Sequence, residues 1–313
     1  MNLCLLRGVV MDIREGRARV GALELAYEDW GDPAAPPLLL IMGFGAQLLL
    51  WPEGFCAALV ARGLRVIRFD NRDIGQSSRL EWPGGRPPAL WPVLARAQLG
   101  KPSAVPYRLE AMAADAVGLL DHLGIERAHV LGGSMGGMIA QILAADWPQR
   151  VARLGILFSS TNQPLLPPPA LRLLGGLLLR PRPGMQEAQA VARQKLLLRG
   201  IESPAYRQSD ADRERLARRI LARGLDIDGV QRQLFALLGS GDLRPFARRI
   251  QAPTLVVHGA RDPLLRPACG RAVARAIPGA RLELIPEMAH DLPAPLWPRL
   301  SELFWSFFIK EGY

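Results

Sequence analysis

Short apolar runs recur along the chain and are separated by longer stretches of helical composition. Residues 38–42, 64–69 and 154–158 are such runs, and each ends in a loop of glycine or polar side chains. The run 38–42 is wholly apolar, and a run of this kind is typical of a strand that is buried on both faces of a parallel sheet. Because helical patterns lie between these runs, the order of elements predicts an α/β fold with a mostly parallel sheet.

The remaining elements follow the same alternation. Residues 17–28 alternate between polar and apolar positions, which predicts a half-exposed antiparallel hairpin. The other predicted strands are 128–131, 254–259 and 282–285, and the predicted helices are 57–62, 109–123, 138–146, 268–276 and 298–308. Residues 81–106 are rich in proline and tryptophan and show no clear period, so no element is predicted there.

The alternation stops at Thr161 and resumes near residue 254. Residues 161–250 contain no strand-like run, and their leucine- and arginine-rich segments have helical composition and are divided by prolines. We therefore predict a helical cap at 161–250. It is inserted into a core formed by residues 1–160 and 251–313, and we expect it to lie over the carboxyl-terminal edge of the sheet.

The composition is that of a globular protein with a net charge of +10. The basic residues are nearly all arginines and are scattered, not gathered into a stripe with aromatic residues, so we expect no nucleic-acid partner. Three cysteines lie far apart without metal-ligand spacing, which predicts neither a disulfide framework nor a metal site. The first residues do not resemble a signal peptide, and the apolar residues 171–179 are too few to span a bilayer. We expect a cytoplasmic protein without a membrane span.

Gly132, Ser134 and Gly136 form the pattern G-x-S-x-G between the strand 128–131 and the helix that follows it. A strand–turn–helix of this kind is so sharp that the residues two positions before and after the serine must be minimal. The turn would hold the serine hydroxyl clear of the sheet, beside the backbone N–H of Met135 at the start of the helix. We predict that Ser134 is a nucleophile and that Met135 N–H is one donor of an oxyanion hole.

A serine nucleophile needs a histidine base, and in open parallel sheets the site lies at the carboxyl-terminal ends of strands. The chain has only four histidines. His122 falls on a predicted helix, His129 falls within a strand, and His258 closes a strand, where we expect it to hold a turn. His290 follows the strand 282–285 in a loop and is therefore the predicted base.

The histidine in turn needs an orienting carboxylate. Asp262 follows the strand 254–259 and precedes His290 by 28 residues, which is room for one helix and one strand. Asp291 is adjacent to the histidine and cannot easily reach Nδ1 of the same ring, so it ranks below Asp262. The predicted triad is Ser134, Asp262 and His290 in chain order.

The loops after the first two parallel strands complete the candidate site. Residues 43–45 form a tight glycine-containing turn, and we choose Phe44 N–H as the second oxyanion donor. No G-x-G-x-x-G or GK[ST] pattern follows this turn, which argues against a phosphate-binding loop. Residues 70–73 are interpreted as structural, with Arg72 bridging loops near the site.

From about residue 17 to its end, the chain resembles the α/β-hydrolase superfamily of serine esterases. The matching segments are 42–45, 70–77, 132–137, 259–262 and 290–293. Two departures stand out: Met42 replaces the histidine of many oxyanion loops, and Asp73 replaces a glycine of the D-x-R-G-x-G-x-S pattern. With Trp51 and the His-Asp-Leu-Pro ending, they make the chain similar to the bacterial subgroup that contains the aclacinomycin methylesterase and related carboxylesterases.

The resemblance implies an α/β-hydrolase fold with an eight-stranded, mostly parallel sheet and a serine carboxylesterase that needs no cofactor. Apolar residues in or near the cap predict a hydrophobic ester of small to medium size as the partner; they are Trp91, Leu165, Leu166 and Leu171. A lactonase, a proline-type aminopeptidase, a C–C hydrolase or a perhydrolase would use the same triad. A catalytically slow ligand receptor is the alternative of another class, and the protein is expected to be a monomer or a homodimer.

Overall fold

The computed structural model describes residues 2–6, 9–168, 170 and 186–310. The strands are β1 (Asn2–Leu6), β2 (Val9–Val20), β3 (Leu23–Trp30), β4 (Pro37–Ile41), β5 (Arg65–Phe69), β6 (Ala128–Gly133), β7 (Val151–Leu157), β8 (Thr254–Gly259) and β9 (Arg281–Ile285). The helices are α1 (Glu53–Val60), α2 (Leu90–Gln98), α3 (Leu109–His122), α4 (Met135–Asp146), α5 (Glu187–Ile201), α6 (Asp210–Arg223), α7 (Ile227–Gly239), α8 (Arg244–Ala247), α9 (Pro267–Ala276) and α10 (Trp297–Trp305).

All nine described strands belong to one sheet, in the order β1-β2-β3-β5-β4-β6-β7-β8-β9. Strands β4 to β9 run parallel, whereas β1, β2 and β3 are joined by antiparallel pairing and β3 is antiparallel to β5. The predicted α/β-hydrolase fold is therefore confirmed, with one strand more than the eight expected. The additional strand is β1, which pairs with the first half of the long strand β2.

The central strands are mostly apolar because both of their faces are covered. In β4, Leu39 and Ile41 pack into a core with helices α3 and α4, while Leu38 and Leu40 pack into a second core with α1 and α10. Successive side chains of a strand point to opposite faces, so a strand between two helical layers must be apolar at every position. This explains why β4 could be predicted from an uninterrupted apolar run.

Helix α2 is an element that the sequence pattern did not predict. It lies within the proline-rich residues 81–106. Its Trp91 side chain is 80% exposed, and that of Leu99, directly after the helix, is 67% exposed. Apolar residues on the exposed face hide the helical period on which a prediction depends. The inner face of α2 is nevertheless packed, since Val93 contacts Phe235 of α7 in a cluster that also contains Trp82, which precedes the helix.

Residues 161–250, called the inserted segment below, contain α5, α6, α7 and α8 and no strand among those that the structure describes. Helices α5 and α6 pack on one another through Val191, Leu198 and Ala217. The described helices reach the loops that follow β4 and β9, because Gln233 contacts Gly45 and Ile201 contacts His290. Across the described part of the chain, no helix is long and apolar enough to cross a membrane.

Candidate active site

Ser134 occupies the turn between β6 and α4 in a backbone conformation that few non-glycine residues adopt. Its φ is 56° and its ψ is −124°. The turn is held from both sides: Ser134 N–H donates to Leu157 O at 3.0 Å, and Ser159 Oγ donates to Ser134 O at 2.7 Å. A strained conformation persists only where the surroundings determine it, and such positions cluster at functional sites.

The glycines around Ser134 are required by close backbone approaches. A Cβ at Gly136 would overlap the carbonyl oxygen of Ile41, and a Cβ at Gly132 would overlap that of Gly136. Gly43 of the loop after β4 faces the serine directly, since a Cβ there would lie 2.8 Å from Ser134 Cβ and 3.3 Å from its Oγ. The structure therefore brings the predicted nucleophile against the predicted oxyanion loop.

Asp262 and His290 are joined by a hydrogen bond of 2.7 Å between Oδ2 and Nδ1. Asp262 follows β8 and His290 follows β9, and both side chains are buried. Because an ionised carboxylate only accepts, Nδ1 must carry a proton, so in the neutral ring Nε2 is the nitrogen with the lone pair. This is the tautomer that a general base for a serine hydroxyl requires.

Asp262 is held as an anion. Its Oδ1 accepts the backbone N–H groups of Leu264 at 2.8 Å and Leu265 at 2.9 Å. Burial raises the pKa of this carboxyl, but the attraction of His290 and the hydrogen bonds from His258 and His290 outweigh burial and bring the pKa down to about 2. Asp262 therefore stays charged across the physiological range and can stabilise an imidazolium at His290.

His258 holds the turn after β8, as its position predicted. Its Nε2 lies 2.7 Å from Leu265 O and 3.4 Å from Asp262 Oδ2. The ring packs directly on α9, where a Cβ at Gly270 would lie 2.5 Å from Nδ1. His122 and His129 lie elsewhere, against Tyr27 and Phe308.

The loop after β4 leaves a specific backbone donor for an oxyanion. Gly45 N–H is occupied, because it donates to Gln233 Oε1 at 2.8 Å. Asn71 Nδ2 donates to Met42 O at 2.9 Å and so fixes the start of the loop. Phe44 N–H lies between these two anchored positions, and Met135 N–H belongs to the first turn of α4, where no intrahelical acceptor exists. The two predicted donors are thus compatible with this geometry.

Phe158 and Gln233 belong to this region, and sequence reasoning missed both. The Phe158 ring centroid lies 4.5 Å from that of His290, and a Cβ at Gly133 would lie 3.3 Å from Phe158 Cε2. Phe158 has a φ of 37°, so its backbone is strained, as that of Ser134 is. Its place directly after β7 was a usable signal, whereas nothing near Gln233 in sequence points to a loop 188 residues away.

Residues 70–73 are structural, but Arg72 does not bridge loops at the site as expected. Its guanidinium pairs with Asp115 and donates to Ala111 O, both on α3. The side chains that contact the inserted segment are instead those of the flanking acids: Asp70 binds Arg223, and Asp73 binds Arg232. Among the described hydrogen bonds and ion pairs, Arg72 contacts that segment only through its carbonyl oxygen, which accepts from Gln233 at 2.8 Å. The sequence could not distinguish these pairings, because every partner lies far along the chain.

The four apolar residues in or near the predicted cap, which suggested an apolar pocket, do not all face inward. Trp91 is 80% exposed and Leu165 is 96% exposed, so neither lines a pocket in this structure. Leu166 is half-buried, and Leu171 lies outside the described residues. The apolar surroundings of the candidate nucleophile are provided instead by Phe158 and by Trp51, whose ring carbons would lie 3.5 Å from a Cβ at Gly133.

Comparisons with known proteins point to the same scaffold. A model of the α/β-hydrolase fold family matches residues 36–293. The rhodomycin D methylesterase of Streptomyces peucetius is 32% identical over 294 residues, which cover 85% of this chain and 88% of that protein. A hydrolase from Pseudomonas aeruginosa PA01 superposes with a TM-score of 0.69 at 28% identity, covering 95% of this chain and 98% of its own.

An enol-lactonase from Burkholderia xenovorans LB400 superposes with a TM-score of 0.67 at 26% identity, covering 95% of this chain and 100% of its own. The family match extends from the first parallel strand to just past His290. It therefore includes the serine turn, the inserted segment and the loop after β9 that carries His290, which is called the histidine loop below. The chain belongs to the α/β-hydrolase family.

Proposed function

We propose that this protein is a serine carboxylesterase with Ser134 as nucleophile, His290 as general base and Asp262 as the carboxylate that orients it. The observation that carries the proposal is the 2.7 Å hydrogen bond between Asp262 Oδ2 and His290 Nδ1. It supports a proton on Nδ1 and a lone pair on Nε2, while Ser134 stands in a strained turn at the end of β6, which β7 separates from β8 in the sheet. The similarity to a methylesterase supports an ester as the substrate.

In the proposed mechanism, Ser134 Oγ attacks the ester carbonyl as His290 Nε2 accepts its proton. Phe44 N–H and Met135 N–H donate to the oxyanion of the tetrahedral intermediate. His290 then protonates the leaving alcohol, which yields an acyl-enzyme on Ser134. Water attacks this acyl group with His290 again as the base, and the carboxylic acid and free Ser134 are released.

The substrate is proposed to be a hydrophobic ester of small to medium size. Phe158 and Trp51 pack close to Gly133, directly before the nucleophile, so the reacting group would meet an apolar wall. The inserted segment, residues 161–250, is proposed to act as the cap over this site, since Gln233 and Ile201 from its helices contact the oxyanion and histidine loops. No cofactor is proposed, and the enzyme is proposed to act in the cytoplasm as a monomer or homodimer.

Lactone hydrolysis is the second candidate. A lactone is a cyclic ester, and its opening needs the same nucleophile, base and oxyanion donors. The similarity to an enol-lactonase at 26% identity over nearly the whole chain favours it over peptide or carbon–carbon bond cleavage. An acyclic ester series and a lactone series separate the two candidates by their relative kcat/KM.

The proposal is tested by hydrolysis of p-nitrophenyl esters of increasing acyl length, with the wild type beside Ser134→Ala. A fluorophosphonate probe, mapped by mass spectrometry, reports the reactive serine independently of substrate fit. We expect turnover and a label on Ser134, with both lost in the variant. Absence of turnover and of label in the folded wild type would instead favour a ligand receptor built on the hydrolase fold.

A further inference from the structure

The carboxyl-terminal end of α5 and the histidine loop are connected by hydrogen bonds on both sides of His290. His290 N–H donates to Ile201 O at 3.1 Å, and Ala289 N–H donates to Ser203 Oγ at 2.8 Å. In the other direction, Ser203 N–H donates to Asp291 Oδ2 at 3.1 Å, and Ser203 Oγ–H donates to Asp291 Oδ1. Every residue from 289 to 291 is thus bonded to the inserted segment.

Ser203 is suited to this role by burial and by chemistry. Its side chain is fully buried, and its hydroxyl both donates to Asp291 and accepts from Ala289. A buried hydroxyl that makes both kinds of bond cannot rotate without leaving one partner unsatisfied. The contact is therefore directional, and it defines where the main chain of the histidine loop lies.

The segment that carries Ser203 is itself anchored. Glu202 is buried and forms an ion pair with Arg213 of α6, with Nη1 at 2.9 Å and 2.8 Å from the two carboxylate oxygens. Arg213 also donates to Gln208 O at 2.9 Å. The position of Ser203 is consequently set by the packing of α5 on α6, not by a free loop.

We infer that Ser203 and Asp291 are positioning residues that hold the main chain of His290, so that the inserted segment completes the catalytic geometry and does not only cover it. This inference rests on the proposed function. Asp262 orients the His290 ring from one side and Phe158 packs on it. From the core, Arg261 N–H donates to Met288 O at 2.9 Å and holds the backbone two residues before His290. The described contacts to that backbone from the inserted segment come from Ile201 and Ser203.

The electrostatic surroundings of Asp291 are compatible with this role. Burial and the Glu202 carboxylate raise the pKa of Asp291, while the hydrogen bonds from Ser203 and the proximity of His290 lower it, and the balance is a pKa of about 6. At neutral pH the carboxylate is therefore ionised and accepts both bonds from Ser203. It also places a negative charge beside His290, which favours the imidazolium that forms during the reaction.

Two variants test the inference, Ser203→Ala and Asp291→Asn. The matched control is Ser209→Ala, because Ser209 caps α6 in the same segment by accepting from Asp212 N–H at 3.1 Å and makes no described contact with the histidine loop. One readout is the second-order rate of labelling of Ser134 by a fluorophosphonate, measured below the melting temperature of each variant. The other is amide hydrogen exchange of the peptide that contains residues 286–292.

In both variants we expect labelling to slow by about tenfold or more, since a small displacement of the base is costly, and exchange in peptide 286–292 to accelerate. In Asp291→Asn the acidic limb of the rate profile should also shift to lower pH, because a negative charge beside His290 is removed. Ser203→Ala removes a hydrogen bond that lowers the pKa of Asp291, so it should shift the limb in the same direction but by less. Ser209→Ala should label and exchange in the histidine peptide like the wild type even if its melting temperature falls.

Wild-type labelling rates in folded Ser203→Ala or Asp291→Asn would overturn the inference, as would unchanged exchange in peptide 286–292. If the wild type is not labelled at Ser134 at all, the proposed function fails, but the anchoring of the histidine loop by Ser203 can still be tested. Amide hydrogen exchange of peptide 286–292 is then the only test. Faster exchange in Ser203→Ala than in the wild type supports the anchoring of the loop, and unchanged exchange refutes it.

Discussion

The side-chain carbonyl of Gln233 on α7 accepts the backbone N–H of Gly45 at 2.8 Å, in the loop that is proposed to stabilise the oxyanion. Its amide nitrogen donates to Arg72 O at 2.8 Å, so one buried side chain joins two loops at the ends of neighbouring strands. Gly45 N–H is thereby occupied, and Phe44 N–H remains as the proposed donor. A residue of the inserted segment thus selects which amide of the loop is available.

Gln233→Leu should lower kcat with a smaller effect on KM. The leucine has similar volume but makes neither bond, so the loop loses its anchor and Phe44 N–H is no longer aimed at the oxyanion. Removal of one oxyanion donor costs about 10²–10³ in kcat, and misalignment should cost a fraction of that, about tenfold or more. Steady-state kinetics on one ester measures this, with Gln98→Leu at an exposed position of α2 as the matched control. Equal kcat in both variants would contradict the role given to Gln233.

Asp262→Asn should reduce kcat/KM by about 10⁴ while leaving the fold intact. An asparagine can present its amide N–H to His290 Nδ1, which stabilises the wrong tautomer and places the proton on Nε2. The control is Asp121→Asn, which changes a largely exposed carboxylate on α3 that pairs with Arg150. A decrease of only a few fold in Asp262→Asn would show that another group orients His290.

The stability contributed by Asp262 should depend on pH in a defined direction. Its folded pKa of about 2 lies below the ordinary value of 3.8, so its ionised form favours folding. The contribution is fully present above about pH 4 and is lost as the pH falls toward 2. We expect the difference in unfolding free energy between wild type and Asp262→Asn to shrink over this window, as measured by urea unfolding at several pH values.

Asp291 should show the opposite dependence. Its folded pKa of about 6 lies above the ordinary value of 3.8, so its protonated form favours folding. Relative to Asp291→Asn, the wild type should gain stability as the pH falls from about 6 to about 4 and lose that gain as the pH rises again. The same urea series measures both residues, and slopes of the same sign would refute one of the two assignments.

The Asp73–Arg232 ion pair should be a large contributor to the attachment of α7. Both side chains are buried, the guanidinium donates to both carboxylate oxygens, and Tyr107 OH adds a bond of 2.7 Å to Asp73 Oδ2. Arg232→Met leaves the buried carboxylate without its counter-charge, at a cost of about 3–5 kcal/mol. Urea unfolding measures this cost.

The control for this pair is Arg218→Met, which breaks exposed pairs with Glu214 and Glu187 on the surface of the inserted segment. Exposed pairs contribute little because water and salt screen them. A loss in Arg232→Met no larger than that in Arg218→Met would show that the buried pair does not anchor α7.

The sequence predicted the core elements because each depends on local chemistry. Short, mostly apolar runs indicated strands with two covered faces, and the predicted helix 109–123 matches α3 at Leu109–His122. The same reasoning failed for α2, where Trp91 and Leu99 face outward and no apolar stripe is visible. It also missed β1, whose place in the sheet depends on pairing with β2 and not on its own pattern.

For the candidate site, chain order and strand ends were sufficient to select Ser134, Asp262 and His290, since parallel strands bring their carboxyl ends to one edge of the sheet. Sequence could not select Gln233, Ser203 or the true partner of Arg72. These contacts join residues 188, 88 and 43 positions apart, and each depends on a single pair of residues. Local patterns are set by short-range burial and turn geometry, whereas such pairings exist only once the helices have packed, so only the tertiary structure decides them.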